Sequence, residues 1–165
     1  MKRKHLAFLI ICLFLIVIGF KYKDHIVLIS NEDVTDELEQ MYKTDYPNIL
    51  SYTSINLGDK KLLYLNKYEP KTYDLGFIKG NTKEEKLNSI VQYVGKIPYS
   101  EFQNNPSDSA DGLNCQGYAL MIRDMCKQID IPCMIQYTSN HMYNIVELGN
   151  NKYKLDIING KMEKL

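Results

Sequence analysis

At Pro132 the chain changes its hydrophobic period. Before it, Ala119, Ile122, Met125, Cys126 and Ile129 recur three and four apart, which predicts a helix from about Cys115 to near Ile129 with one buried stripe. Around and beyond it the pattern is that of strands: Ile131 to Thr138, His141 to Leu148, Lys152 to Ile158 and a last strand to Leu165. Turn residues at Ser139-Asn140, Gly149-Asn150-Asn151 and Asn159-Gly160 separate them. An earlier helix is announced by Thr82-Lys83-Glu84-Glu85, a capping box in which the Thr hydroxyl and the Glu carboxylate satisfy each other's backbone N–H groups. Its stripe is Leu87, Ile90, Val91 and Val94, and it ends near Gly95, before Pro98. Ser100 to Asn114 reads as a polar loop between the helices. Helices followed by an antiparallel meander predict an α+β fold.

The N-terminus carries a different signal. Leu6 to Phe20 is an uncharged run of fifteen residues, preceded by Lys2, Arg3 and Lys4 and followed by Lys21 and Lys23. A soluble helix does not stay apolar on every face. As a helix the run would be roughly 22 Å long, enough for a short anchor if the flanking lysines snorkel and the bilayer thins. No small-residue cleavage site follows it, so an uncleaved signal anchor over residues 1–23 is favoured over a cleaved signal that would leave the domain secreted. The basic cluster holds that end in the cytoplasm and sends the rest outward. Cys12 is read as a thiol packed in the membrane segment.

Residues 24–80 are expected to be a stalk and framework. They include a short helix near Asp33 to Tyr42, a hairpin of Leu50 to Leu57 and Lys61 to Asn66 around Gly58-Asp59, and an irregular Tyr-rich stretch. Residues 81–165 are expected to form the core that carries chemistry. From Asp24 onward fifteen basic residues face twenty acidic ones with no basic run, so a nucleic-acid partner is not expected.

Cys115 falls at a helix start, where unpaired N–H groups favour thiolate over thiol. A helix of about fourteen residues descends roughly 21 Å and a strand of about eight climbs back roughly 26 Å, so His141 returns to the level of Cys115. In the hairpin closed at Gly149-Asn150, Ile158 then lies opposite His141, and Asp156 is its same-face diagonal neighbour. Thiol, imidazole and carboxylate converge in an order that makes chemical sense: the ring takes the thiol proton and the carboxylate holds the ring. The backbone N–H of Cys115 is placed to receive an oxyanion, and Tyr99 is the candidate second donor.

These residues resemble the transglutaminase-like superfamily, relatives of papain-like cysteine proteases, in a bacterial membrane-anchored form. The resemblance covers roughly Thr82 to Ile158, about half the chain. Gly112-Leu113-Asn114-Cys115-Gln116-Gly117-Tyr118-Ala119 is similar to the family's Gly-x-Cys-x-x-(aromatic)-Ala motif. Ile129-Asp130-Ile131-Pro132-Cys133 is similar to its Leu-Gly-Ile-Pro-Ala segment, His141-Met142-Tyr143-Asn144-Ile145-Val146 to its His-x-Trp-x-x-Val, and Tyr153-Lys154-Leu155-Asp156 to its Trp-x-x-Asp. Gly112 stands one residue further from the Cys than in the family, and Tyr143 and Tyr153 replace tryptophans. The resemblance implies a papain-like core with the Cys helix packed on the meander, Cys115 as nucleophile, His141 as base and Asp156 as orienting acid, with no cofactor. It implies a protein or peptide substrate attacked at an amide bond; hydrolysis is expected rather than crosslinking, because excluding water needs walls that the sequence does not show.

Blander readings stand beside this one. The domain could be a noncatalytic binding module for cell-surface partners. Cys126 and Cys133 read as core residues or as a disulfide that leaves Cys115 free. Cys115, Cys126, Cys133 and His141 lack the close-paired spacing of a zinc site. Nothing in the letters indicates an oligomeric state.

Overall fold

The computed structural model describes residues 26–30, 46–138, 140–158 and 161–165, and the chain divides into two units, residues 1–67 and 68–165. The expected anchor at residues 1–23 and the expected helix near Asp33 to Tyr42 lie outside the described residues. Among the described residues no helix is long and apolar enough to cross a membrane.

The first unit contains a three-stranded antiparallel sheet of β1 (Ile26–Ser30), β2 (Ile49–Leu57) and β3 (Lys60–Lys67), in the order β1-β3-β2. The expected hairpin is β2–β3, closed with Leu57 opposite Lys60 across Gly58-Asp59. Gly58 takes φ +78°, a conformation that favours glycine and lets the turn be this short. Leu63 and Leu65, two apart on β3, are buried, while β2 is exposed along most of its length. One strand of this sheet, β1, was not expected from the sequence. Ile26-Val27-Leu28-Ile29 is a run of strand-forming aliphatic residues, too short for a stable helix, and it pairs with β3 from Ile26 opposite Tyr64 to Ser30 opposite Lys60.

The second unit is the α+β assembly. Helix α1 (Lys83–Val94) starts at the capping box: Glu85 N donates to Thr82 Oγ1 at 3.2 Å, and Thr82 N donates to Glu85 Oε2 at 3.0 Å. These bonds and one from Asn81 N hold the Glu85 carboxyl below its ordinary value, the Thr82 N–H being the largest cause. Helix α2 (Cys115–Gln128) follows, then the meander β4 (Cys133–Tyr137), β5 (Met142–Leu148), β6 (Asn151–Asp156) and β7 (Lys161–Lys164), paired in chain order and all antiparallel. Strand β5 alternates as a half-buried strand should, with Met142, Asn144 and Val146 inward. Leu87, Ile90 and Val94 of α1, Ile122 and Met125 of α2, and Val146 and Leu155 of the sheet share one apolar core.

Helix α2 is more deeply enclosed than one stripe predicts. Gln116 to Ile122 is buried without a break, and so are Asp124, Met125 and Cys126. The reason is its place: β4 and β5 cover one side, α1 another, and a 3-10 turn at Pro106–Asp111 packs against it as well. Its polar residues are buried because they have partners. Asp124 Oδ2 accepts from Tyr68 Oη at 2.8 Å and from Lys71 N at 2.7 Å, and Arg123 Nη2 lies 3.2 Å from its other oxygen. Gln128 exchanges two bonds with the Tyr73 backbone, at 2.8 and 2.9 Å. Residues 68–73 are thereby tied to α2. Burial and the bonds to Tyr73 and Asp124 push the Tyr68 phenol well above its ordinary value.

Candidate active site

The start of α2 is held by the loop before it. Pro98 O accepts from Leu113 N at 2.9 Å and Leu113 O accepts from Ser100 N at 3.0 Å, so Tyr99 and Leu113 form a parallel bridge. Gly112 between the turn and this bridge has φ +97°, and a Cβ there would lie 2.6 Å from Pro98 O. Only glycine fits both the conformation and the approach. Asn114 is the N-cap: its Oδ1 accepts from Gly117 N at 3.0 Å, its Nδ2 donates to Glu101 O at 3.3 Å, and its N donates to Gln103 O at 2.7 Å. The expected polar loop is therefore an ordered bracket that delivers Cys115 to the first turn of the helix.

Cys115 is half-buried and lines a small cleft between α2 and the sheet. Tyr118, Ala119 and Ile122 continue the wall on the helix side, and Met142, Tyr143, Asn144, Leu155, Asp156, Ile157 and Ile158 form the sheet side. The N–H of Cys115 has no partner among the described residues, as expected at the first helical position.

The structure brings His141 and Asp156 together. Nε2 of His141 lies 3.0 Å from Asp156 Oδ2. Ring and carboxylate meet because β5 and β6 pair with Asn144 opposite Leu155, the register that puts Asp156 diagonal to His141. His141 sits one residue before β5, where its carbonyl accepts from Thr138 N at 2.8 Å and closes the preceding turn. The Asp156 side chain is almost fully buried and that of His141 is partly open. Where the Asp156 carboxylate is ionised it can only accept, which assigns the proton to Nε2 and leaves Nδ1, the other ring nitrogen, as the acceptor. Lys154 Nζ stands 4.0 Å from the same Asp156 oxygen and 4.5 Å from the centre of the Tyr143 ring.

Cys115 shares its cleft with Asp156, yet its Sγ makes no hydrogen bond to His141 or to any other described side chain. Tyr99 is exposed at the bridge and its hydroxyl makes no hydrogen bond within the described residues. Its neighbour Tyr118 donates to Ile97 O at 2.8 Å, and that phenol is raised first by burial and then by Tyr99. Cys126 and Cys133 are both free thiols. Contact with the Cys133 thiol, then burial, pushes the Cys126 thiol up, which makes it an inert core residue. No group of three metal-ligating side chains occurs among the described residues.

Sequence reasoning assigned no role to Asn144, which is 1% exposed in the cleft wall. Its Nδ2 donates to Ala119 O at 3.0 Å and to Cys133 Sγ at 3.3 Å, while its Oδ1 has no partner among the described residues. The available signal was a polar residue at an inward position of the Met142, Asn144, Val146 alternation. Compared with known proteins, the chain matches no family model, no curated protein and no solved structure.

Proposed function

We propose that the protein is a transglutaminase-like cysteine enzyme that cleaves amide bonds of protein or peptide substrates, held at the outer face of a membrane by residues 1–23. The observation that carries this reading is the 3.0 Å bond from His141 to a buried Asp156 that shares a cleft with Cys115. In the reaction, His141 Nδ1 takes the Cys115 proton, and Asp156 stabilises the imidazolium through Nε2. Sulfur attacks the amide carbonyl, the developing oxyanion meets the N–H of Cys115, and the leaving amine takes the proton from His141. Water then releases the acyl group as a carboxylic acid. Hydrolysis is favoured over transfer to an amine because the partly open His141 side chain leaves the site accessible to water.

One observation favours a noncatalytic binding module instead: Cys115 Sγ is not hydrogen-bonded to the ring. Iodoacetamide labelling near neutral pH separates the two. Rapid alkylation of Cys115 that is lost in His141→Ala supports the enzyme, and an inert Cys115 supports the module. Mass spectrometry of proteins trapped on Cys115 would then identify the substrate.

A further inference from the structure

The three-stranded sheet of the first unit turns one apolar face to solvent. Residues directly opposite each other on paired strands share a face. Thr53, Ile55 and Leu57 on β2 stand opposite Tyr64, Leu62 and Lys60 on β3, so these six lie on one side. Ile55, Leu57 and Tyr64 are 55, 52 and 44% exposed. The other side carries Ser54 and Asn56 of β2 and the leucines that the sheet does bury, Leu63 and Leu65. Large apolar side chains gathered in the open on one face mark a binding surface, for protein or for lipid.

Two observations select lipid. The apolar run Leu6 to Phe20 ends five residues short of Ile26, where β1 begins. Such a link reaches at most about 20 Å, and β2 lies two strand spacings, roughly 10 Å, from β1. The sheet is therefore confined near whatever surface the run enters. Its charge is also opposite to that of the chain around it: from Ile49 to Lys67 there are Lys60, Lys61 and Lys67 against Asp59 alone, whereas acids outnumber bases from Asp24 onward. Ammonium groups beside aliphatic and tyrosine side chains suit a phospholipid interface, where they meet phosphates while the phenol sits at headgroup level.

We infer that the face of Thr53, Ile55, Leu57, Leu62 and Tyr64 lies on the phospholipid surface of the bilayer that residues 6–20 enter, seating the first unit on the membrane. This goes beyond the amide-cleaving activity and rests only on the anchor reading. Ile55 and Leu57 reach the upper acyl carbons and Lys60 the phosphates. Because the anchor already holds the sheet at high effective concentration near the lipid, a face too small to bind vesicles by itself is sufficient.

The sequence contains no tryptophan, so a single introduced one reports its own surroundings. The full chain is reconstituted in vesicles of equal parts phosphatidylcholine and phosphatidylglycerol, with or without phosphatidylcholine brominated high on its acyl chains, and flotation is measured. Ile55→Trp should lose about half of its emission to the bromines, as expected for a side chain at the headgroup–acyl boundary. Asn56→Trp, its exposed neighbour on the opposite face, should lose little and stay accessible to iodide. Thr53→Trp and Ser54→Trp repeat the comparison if circular dichroism shows that either first variant does not fold. Equal quenching at the two neighbouring positions, weak or strong, in protein that floats with the vesicles overturns the inference alone. Shielding of Ile55→Trp from iodide without quenching by bromine assigns the face to a second copy or another protein and overturns it as well. Protein that does not float overturns the anchor reading and this inference together.

Discussion

Replacing Asp156 by Asn tests the centre of the proposed chemistry. The substitution keeps the side chain's shape but removes the charge 3.0 Å from His141 Nε2. At that separation and an effective dielectric of about 20, the attraction between two unit charges is about 5 kcal/mol, an upper limit. The imidazole is partly open to water, with 25% of its side-chain surface exposed, so solvent screens a good part of this. The lower limit is the difference between a charge-assisted and a neutral hydrogen bond, about 1 kcal/mol. The population of thiolate paired with imidazolium should then fall between about fivefold and, after screening, a few hundredfold. The assay is the second-order rate of Cys115 alkylation by iodoacetamide at neutral pH, with circular dichroism to check that the variant is folded. A folded Asp156→Asn protein that alkylates at the wild-type rate would refute the reasoning, because the carboxylate would then contribute nothing to the thiolate.

Three further outcomes follow from the geometry. Gly112→Ala places a Cβ 2.6 Å from Pro98 O at a backbone φ of +97°, so it should cost about 1–3 kcal/mol in urea unfolding and slow Cys115 alkylation; an unchanged midpoint would speak against the bracket. Tyr68→Phe removes a donor to buried Asp124 while Lys71 N and Arg123 remain, an expected loss of about 1–3 kcal/mol by chemical denaturation. The folded-state pKa of Glu85 lies below its unfolded value, so its contribution is complete above the ordinary carboxylate range and disappears as pH falls through the lowered folded value. Thermal melts of Glu85→Ala should therefore differ most from wild type near neutrality and converge with it in acid; a gap that persists in acid would mean that the cap acts through something other than charge.

What could be read from the letters was local. The capping box at Thr82 and Glu85 and the register of β5 on β6 depend on residues a few positions apart, and both are present as expected. The His141 to Asp156 contact belongs to the same class, since both residues sit on one hairpin. The enclosure of α2 could not be read, because Gln116 and Asp124 are polar and are buried only by virtue of Asn104, Tyr68 and Lys71 elsewhere in the chain. Strand β1 was obscured for a similar reason: its pairing partner β3 lies beyond the β2–β3 turn, out of reach of a local pattern. The resemblance to transglutaminase-like enzymes led to expected roles for Cys115, His141 and Asp156 but says nothing of Asn144, whose burial is intelligible only once its two amide partners are known.

The burial of α2 on nearly every side has a kinetic corollary. Beyond the first turn, its amide protons should exchange with deuterated solvent only through opening of the whole second unit, whereas those of β2, on the exposed edge of the other sheet, should exchange early. Cys115 thus heads the slowest-exchanging segment of its unit, and in the proposed reaction the substrate comes to its sulfur rather than drawing it outward.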